Sequence, residues 1–461
     1  MKPPVNVVIL AAGLGTRMKS KRAKVLHRAG GLSLIEHVVH TATAITSPDH
    51  ITVVVGHQAE QVKALLAPSG VHFAEQTEQK GTGHALMISA AALASEPGLV
   101  VVLYGDCPLL SRATLQELID RQSAGITAAT LITTALENPA GYGRVIFGKP
   151  GEVEAIVEEK AASAEQRSIR FINSGIYCFC ANLLWKHINE IRPDNPAHEY
   201  YLTDIVEIFN RAGHRVQAME LASPLELLGI NTRAELAQVD KIFRERKVQE
   251  LMLCGVTIEK PETVTIDQPV RIGSDTIVQP FAQILGRTEI GEDCRIGACS
   301  IVQNSKLAAG VQIEPFTSVA DSHIDSGAHI GPFARLRGGA HVGSNAHIGN
   351  FVELKNTHFR SGAKANHLAY LGDAEIGERT NIGAGTITCN YDGVRKHRTK
   401  IGKDAFVGSN STLVAPIEIG DESYIAAGSV ITEPVPPDAL ALGRGHQVVK
   451  EGWVSKRKKK K

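Results

Sequence analysis

The chain lacks a paired-cysteine pattern, an excess of either charge and any long apolar run, and each absence closes off a class of function. Its seven cysteines are scattered through 461 residues, with only Cys178 and Cys180 close together and no CxxC. Neither a disulfide framework nor a thiolate zinc site is expected, and a reducing compartment follows. Lysine plus arginine number 49 against 48 for aspartate plus glutamate, so no global field points to nucleic acid or to a membrane surface. The one basic block, Lys456-Arg457-Lys458-Lys459-Lys460-Lys461, is expected to be a solvated, disordered end. The apolar run at residues 5–12 is too short for a signal peptide and leads into a turn, and nothing reaches membrane-spanning length. The expectation is a soluble cytoplasmic protein with no nucleic-acid partner and no membrane insertion.

What is present first is "LAAGLGTRMKSKRAKVLH" at residues 10–27. A buried parallel strand, "VNVVIL", predicts a run straight into a glycine-containing loop, where backbone N–H groups lie open. Arg17, Lys19, Lys21, Arg22 and Lys24 add cations beside them, which suits a triphosphate or pyrophosphate, although a solvated basic flank on a plain turn would read alike. It is not a P-loop, because GxxxxGK[ST] is absent, and the dinucleotide pattern GxGxxG fails at Met18.

The length suggests two or three domains, and two grammars divide the chain. Up to about residue 230, strand-like runs such as "ITVVVG", "GLVVVLYGD" and "ITAATLIT" alternate with helical stretches, which predicts an α/β fold with a mainly parallel sheet and a site at the strands' carboxyl ends. Residues 234–254 read as one long connecting helix. Beyond it Ile272, Val278, Ile284, Ile290 and Ile296 recur six residues apart. After one-residue slips the period returns at Leu307, Ile313 and Val319, and again from Ile324 to Leu354. It resumes at Ile376 and Ile382, then from Ile401 to Ile425. That is the signature of a parallel β-helix with each aliphatic residue stacked inside the coil. The breaks near residues 359–371 and 389–400 are expected to be loops that leave the coil and carry functional groups.

The opening stretch is similar to the signature of sugar-1-phosphate nucleotidyltransferases, and the C-terminal repeat to the left-handed β-helix of hexapeptide acyltransferases. In this order the two resemble the family of bifunctional bacterial N-acetylglucosamine-1-phosphate uridyltransferases / glucosamine-1-phosphate N-acetyltransferases. The resemblance covers essentially the whole chain, most specifically at "LAAGLGTRM", "EQTEQKGTGHA", "YGDCPLL", "GYGRV", "NSGIY", "FVELKN", "NHLAYLGDAEIG" and "NIGAGTITCNYDG". It implies a Rossmann-like uridyltransferase domain at 1–233, a linker helix at 234–254 and a left-handed β-helix acetyltransferase domain at 255–461.

The resemblance also implies roles for particular residues. Joining a sugar phosphate to UTP is an in-line attack at the α-phosphorus, which asks for positioning and charge neutralisation. Arg17 and Lys24 would stabilise the polyphosphate. Asp106 ends a hydrophobic strand, where a turn aspartate before Pro108 would look the same; the family match makes it a Mg²⁺ ligand, with Asn231 of "GINTR" the second. Leu10, Ala11, Ala12, Gly13, Gln76, Gly81 and Thr82 would hold the uridine nucleotide, and Tyr104, Gly105, Gly143, Glu158 and Asn173 would surround the sugar. The family usually has proline before the active lysine, where this chain has Ala23.

Acetylation needs a neutral amine, a base and groups for the thioester oxyanion. His367 in "NHLAYLGD" matches the family's base, whereas His323, His329, His341 and His347 stand at ordinary coil positions. Arg337, Lys355, Tyr370, Asn381 and Lys396 would hold glucosamine 1-phosphate. Asn390 and Tyr391 would lie near the reacting groups, and Ala384, Ser409, Ala427 and Arg444 along the acetyl-CoA path. Where relatives usually have Arg-Pro-Gly, this chain has Arg337-Gly338-Gly339. The family also implies a homotrimer, and a product, UDP-N-acetylglucosamine, used for peptidoglycan and lipopolysaccharide. Two rivals are a single-activity nucleotidyltransferase with a structural β-helix, like ADP-glucose pyrophosphorylases, and a non-catalytic assembly protein, like subunits of the eukaryotic translation-initiation exchange factor. The first would lack the "NHLAYLGD" and "CNYDG" segments and the second would lose Arg17, Lys24, Asp106 or Asn231, yet all are present.

Overall fold

A computed structural model describes residues 3–93 and 96–458. The chain divides into two compact units, Met1–Ile242 and Phe243–Lys461, and the helix Arg233–Leu253 runs across the division.

The apolar runs of the first unit become the strands of a nine-stranded sheet. Val5–Leu10 lies at its centre, parallel to Ile51–Val55 on one side and to Leu99–Tyr104 on the other. The sheet is mixed: Phe171–Cys180 runs antiparallel between Leu99–Tyr104 and Ala129–Ala135. Val7 and Ile9 bury into one core with Val38 and Ile35, while Val8 and Leu10 bury into another with Leu86 and Phe209. Cover on both faces explains why these strands read as unbroken apolar runs instead of alternating ones. Leu10 and Tyr104 are in register, and Gly105 N–H donates to Leu10 C=O at 3.0 Å. The loops that follow the two strands therefore leave the sheet side by side.

The second unit is a left-handed coil whose walls are three sheets of eleven, ten and nine short parallel strands among the described residues. Each coil contributes one strand to each sheet in turn. Ile290, Leu307, Ile324 and Val342 stack inside the third sheet, and every aliphatic position of the six-residue period is buried in one continuous core. The one-residue slips have a local cause: Val302 to Leu307 and Val319 to Ile324 span five residues, one fewer than six, at the corner between the second and third sheets.

One expected loop is not there. Through residues 359–371 the coil continues as strands His358–Phe359, Lys364–His367 and Tyr370–Gly372. Phe359, Ala365 and Leu371 hold the inward positions and are all buried. A phenylalanine and an alanine hid the period, because stacking needs apolar volume and not a branched aliphatic side chain. His367 is accordingly at the end of a strand. The second break is a loop: between Ile387–Cys389 and Thr399–Ile401 the chain leaves the coil, pinned by a bridge between Tyr391 and Lys396. At the basic end Lys456, Arg457 and Lys458 are exposed, as expected, but belong to a helix. Trp453–Lys458 is an exposed helix with the Arg457 guanidinium 5.1 Å from the Trp453 ring centre, while Lys459, Lys460 and Lys461 lie outside the described residues.

Ile348 is fully buried, with Ile330 beside it on one coil and Ala365 on the next. Ile348→Ala is expected to cost about 2–5 kcal/mol, because alanine above alanine leaves a void that a hydrogen-bonded coil cannot close. Urea denaturation followed by circular dichroism checks this through a lower midpoint for the variant.

Candidate functional site

In the first unit the two adjacent loops form the floor of a cavity of about 470 Å³. The basic cluster does not simply face solvent. Lys24 donates from its Nζ to Asp106 Oδ2 and, at 3.1 Å, to Asn231 Oδ1. Arg17 also donates to Asn231 Oδ1, at 2.8 Å. Asn231 is itself held, its backbone N–H donating to Glu235 Oε2 at 2.7 Å. Four residues drawn from three distant stretches of chain thus meet at one point. The carboxylate and the amide oxygen share a single ammonium, so both already face a cation, and as hard oxygen donors they suit Mg²⁺, which takes one or two protein oxygens beside substrate phosphates.

Local structure explains how Lys24 is aimed. Gly15 has φ +62°, and a Cβ there would lie 2.6 Å from Lys24 Cβ, so only glycine lets the loop close over the lysine. Ala23 stands where relatives usually have proline. Its φ of −55° is one that proline would adopt, and its N–H donates to Gln58 Oε1 at 2.7 Å.

Leu10, Ala11, Ala12, Gly13, Gln76, Gly81, Thr82, Tyr104 and Glu158 line the same cavity. Gln76 is buried and its Nε2 donates to Gly81 C=O at 3.1 Å, tying the two expected nucleotide contacts together. Gly105, Gly143 and Asn173 are not in its wall. Gly143 C=O accepts from Asn173 N–H at 2.9 Å, and Asn173 Oδ1 accepts from Gly175 N–H and the Tyr177 hydroxyl, so this pair buttresses the Glu158 side from behind. Five wall residues were missed: Val25, Gln79, Ala85, Glu199 and Tyr201. The segment 199–201 arrives there because Tyr200 N–H donates to Lys80 C=O and Tyr200 C=O accepts from Gly83 N–H, both at 2.8 Å. No local pattern in "EYYLTD" announces a pairing across so much sequence.

In the second unit most of the expected residues fall into two groups on different corners of the coil, with Asn381 and Tyr391 outside both. At the corner between the second and third sheets, Asp373 is the hub. Both its oxygens accept from Lys355 Nζ, at 2.9 and 2.8 Å, one accepts from Asn356 Nδ2 at 2.7 Å and the other from Asn390 Nδ2 at 2.5 Å. Burial alone would raise this carboxyl, yet the donors from Asn356, Lys355 and Asn390 hold it below the usual carboxylate range. Lys355 is raised by its bond to Asp373, and the Lys355 ammonium pushes the neighbouring Lys396 downward. Arg337 lies in register with Lys355, held by Glu353 at 2.7 Å. A Cβ on Gly372 would lie 2.5 Å from the Tyr370 hydroxyl and 2.8 Å from Asn390 Nδ2, which places tyrosine and asparagine together. Gly338 next to Arg337 has φ +64°, a conformation closed to the proline usual in relatives. Asp373 was not expected as a site residue, although it lies inside the diagnostic "NHLAYLGD".

At the corner between the first and second sheets stands a file led by His367, whose Nδ1 lies 2.5 Å from Asn350 Oδ1 in the adjacent strand. Ala384, Ser409 and Ala427 follow on successive coils: Ala384 C=O accepts from Asn410 N–H at 2.7 Å, and Ser409 C=O from Gly428 N–H at 2.8 Å. Arg444 closes the file by donating to Ala427 C=O at 2.6 Å. Asn381 lies at the other end of the first sheet's strands, in register with Lys364, and Tyr391 is exposed on the loop, its hydroxyl donating to Gly393 C=O at 2.6 Å.

A lysine and an arginine meeting a carboxylate and an amide oxygen at parallel-strand ends, joined in one chain to a hexapeptide coil bearing a histidine and a second cation cluster, is the arrangement of a two-domain transferase. Comparison with known proteins agrees on both halves. Residues 7–170 match the MobA-like NTP transferase domain, residues 269–304 and 321–356 the bacterial transferase hexapeptide, and residues 398–433 the hexapeptide repeat of succinyl-transferase. The chain is 59% identical over 459 residues to the bifunctional protein GlmU of Solibacter usitatus, covering 100% of this chain and 98% of that one. It is 49% identical to the same protein of Koribacter versatilis, covering 98% and 97%, and 46% identical to that of Geotalea uraniireducens, covering 98% and 99%. The chain belongs to the bifunctional GlmU family. It is an enzyme with a uridyltransferase and an acetyltransferase activity, the pair that makes UDP-N-acetylglucosamine.

Asp204, just behind the Glu158 side of the cavity, is raised to about 6 by burial and then by the charges of Glu207 and Glu158. Its neutral form is favoured by folding, so the folded protein binds more protons than the unfolded chain between the ordinary value of 3.8 and about 6. Stability is therefore expected to fall as pH rises through that window, and Asp204→Asn to flatten the fall. Thermal midpoints of the two proteins, measured across the window, check it.

Proposed function

We propose that uridyl transfer is carried by the first unit through Arg17, Lys24, Asp106 and Asn231, and acetyl transfer by the second through His367. The observation that supports the first assignment best is the meeting of two cations and two oxygen ligands at one cavity floor. Mg²⁺ is proposed as the ion held by Asp106 and Asn231; when bound, it supplies charge neutralisation for UTP. The chain's own groups do the rest. The loop after Ala11, whose own N–H is held by Val54 C=O, receives the nucleotide, with Gln76, Gly81 and Thr82 beside the base, while Tyr104, Gly105, Gly143, Glu158 and Asn173 set the sugar's position. Lys24 and Arg17 neutralise the polyphosphate as the sugar phosphate oxygen bonds the α-phosphorus and pyrophosphate leaves.

In the second unit, Arg337, Lys355, Tyr370, Asn381 and Lys396 are proposed to bind glucosamine 1-phosphate, the cations gripping its phosphate. His367, fixed by Asn350, takes the proton from the amine as nitrogen bonds the thioester carbon and the sulfur of coenzyme A departs. Ala384, Ser409, Ala427 and Arg444 form the path proposed for acetyl-CoA, with Asn390 and Tyr391 near the reaction. Residues 1–233 and 255–461 are the proposed bounds of the two activities, with 234–254 as linker.

A homotrimer is also proposed. Two features support it: the phosphate-binding cluster and the His367 file occupy different corners of one coil, and an exposed apolar column of Phe316, Phe333 and Phe351, stacked at 5.1 and 5.2 Å, leads to Leu368 beside His367. A second copy would cover that column and bring its own corner to the first. A cytoplasmic location is proposed on the seven unpaired thiols. Among the described residues no helix is long and apolar enough to cross a membrane.

His367→Ala is expected to lower thiol release from acetyl-CoA with glucosamine 1-phosphate by roughly 10²–10⁴-fold while leaving pyrophosphate release intact. Lys24→Ala is expected to do the reverse, with a loss on the order of 10²-fold or more in uridyl transfer. Thiol and pyrophosphate assays on both variants check the division. Loss of both activities in either variant would sink it.

A further inference from the structure

Three histidines stand in file on the third sheet of the coil, the wall that carries none of the residues assigned to acetyl transfer. Its outward positions run, strand by strand in register, Glu289, Lys306, His323, His341, His358 and Glu375. The rings of His323 and His341 are 4.9 Å apart at 84°, and those of His341 and His358 are 5.9 Å apart at 62°. Asp325, two residues past His323, spans the first pair. Its Oδ1 lies 3.1 Å from His323 Nε2 and its Oδ2 3.0 Å from His341 Nε2. One ligand atom from each of the three lies within 4.8 Å of the others, and among the described residues this is the one group of three histidine, cysteine or carboxylate side chains so gathered.

A carboxylate bridging two imidazoles would by itself be a surface hydrogen-bond ladder. Two further features point to a ligand. The donors are not spread along the wall but converge on one gap between adjacent coils. That gap opens into a recess of about 190 Å³ whose wall includes Asp325, His341, His358, Glu378 and Arg360, the last paired with Glu375 at 2.6 Å, which leaves room for water to complete a coordination shell. We propose that His323, Asp325 and His341 form a site for a divalent first-row transition cation, Zn²⁺ by its donor set, with His358 at its rim. Two imidazoles and one carboxylate are ordinary ligands for Zn²⁺, whereas Mg²⁺ and Ca²⁺ prefer oxygen alone. The ion would clamp two successive coils, a cross-link that the backbone ladder does not provide.

The test uses the full-length protein, stripped with a chelator and titrated with ZnCl₂ by calorimetry in a non-coordinating buffer at neutral pH. The wild type is expected to bind one more equivalent than the His323→Ala/His341→Ala double variant, and Asp325→Asn to weaken that equivalent about tenfold or more. Millimolar MgCl₂ is expected not to compete. All three side chains lie at the surface, so the variants keep the fold, and a zinc-dependent rise in melting temperature confined to the wild type is a second readout. Thiol and pyrophosphate release by the zinc-free proteins should be equal. The same zinc stoichiometry and affinity in wild type and double variant, or no zinc bound by the wild type, overturns the proposal.

Discussion

Parallel pairing is the constraint on which both units depend. A parallel strand cannot be joined to its neighbour by a tight turn, so the chain must travel away and return between one strand and the next. In the first unit it returns through helices that cover both faces of the sheet, and in the second through the two other walls of the coil. Either way the ends of neighbouring strands come together while their side chains stay in register. Sites form at those ends because the backbone leaves its ladder there and the connecting residues are free to specialise.

Electrostatics then decides what those ends can hold. The cations of the first unit are not left in water: Lys24 is set against Asp106 and Asn231, with Arg17 on the same amide oxygen. In the second unit Asp373 plays the complementary part, fixing Lys355 and Asn390 through charge-assisted bonds. Both clusters hold a lysine ammonium against a carboxylate. The partners differ: Lys24 faces a carboxylate and an amide oxygen, whereas Asp373 gathers a lysine and two asparagines, and His367 stands apart from that cluster with Asn350.

The coil was legible because stacking repeats its demand every six residues, and the strand that runs into the glycine loop was legible because burial on both faces writes a continuous apolar run. Where the demand is for volume alone the pattern faded. Phe359 and Ala365 fill inward positions as well as isoleucine does, and the coil therefore continues where a loop was expected. The motif residues Arg17, Lys24, Asp106 and His367 were legible as a resemblance. Glu199, Tyr201 and Asp373 were not, since their roles come from which distant strand or loop lies opposite. His323 and His341 looked like ordinary coil positions for the same reason: they are eighteen residues apart in sequence and adjacent only through coil register.

The sequence by itself determined the two architectures, the positions of the strand-end loops and the chemical types available there, because burial and stacking act locally and periodically along the chain. Tertiary structure alone decided which of those groups meet. It set Lys24 between Asp106 and Asn231, put the Asp373 cluster and the His367 file on separate corners, and brought Asp325 between two histidines. Distance through space is set by register and crossover length, and neither is written in any single stretch of residues.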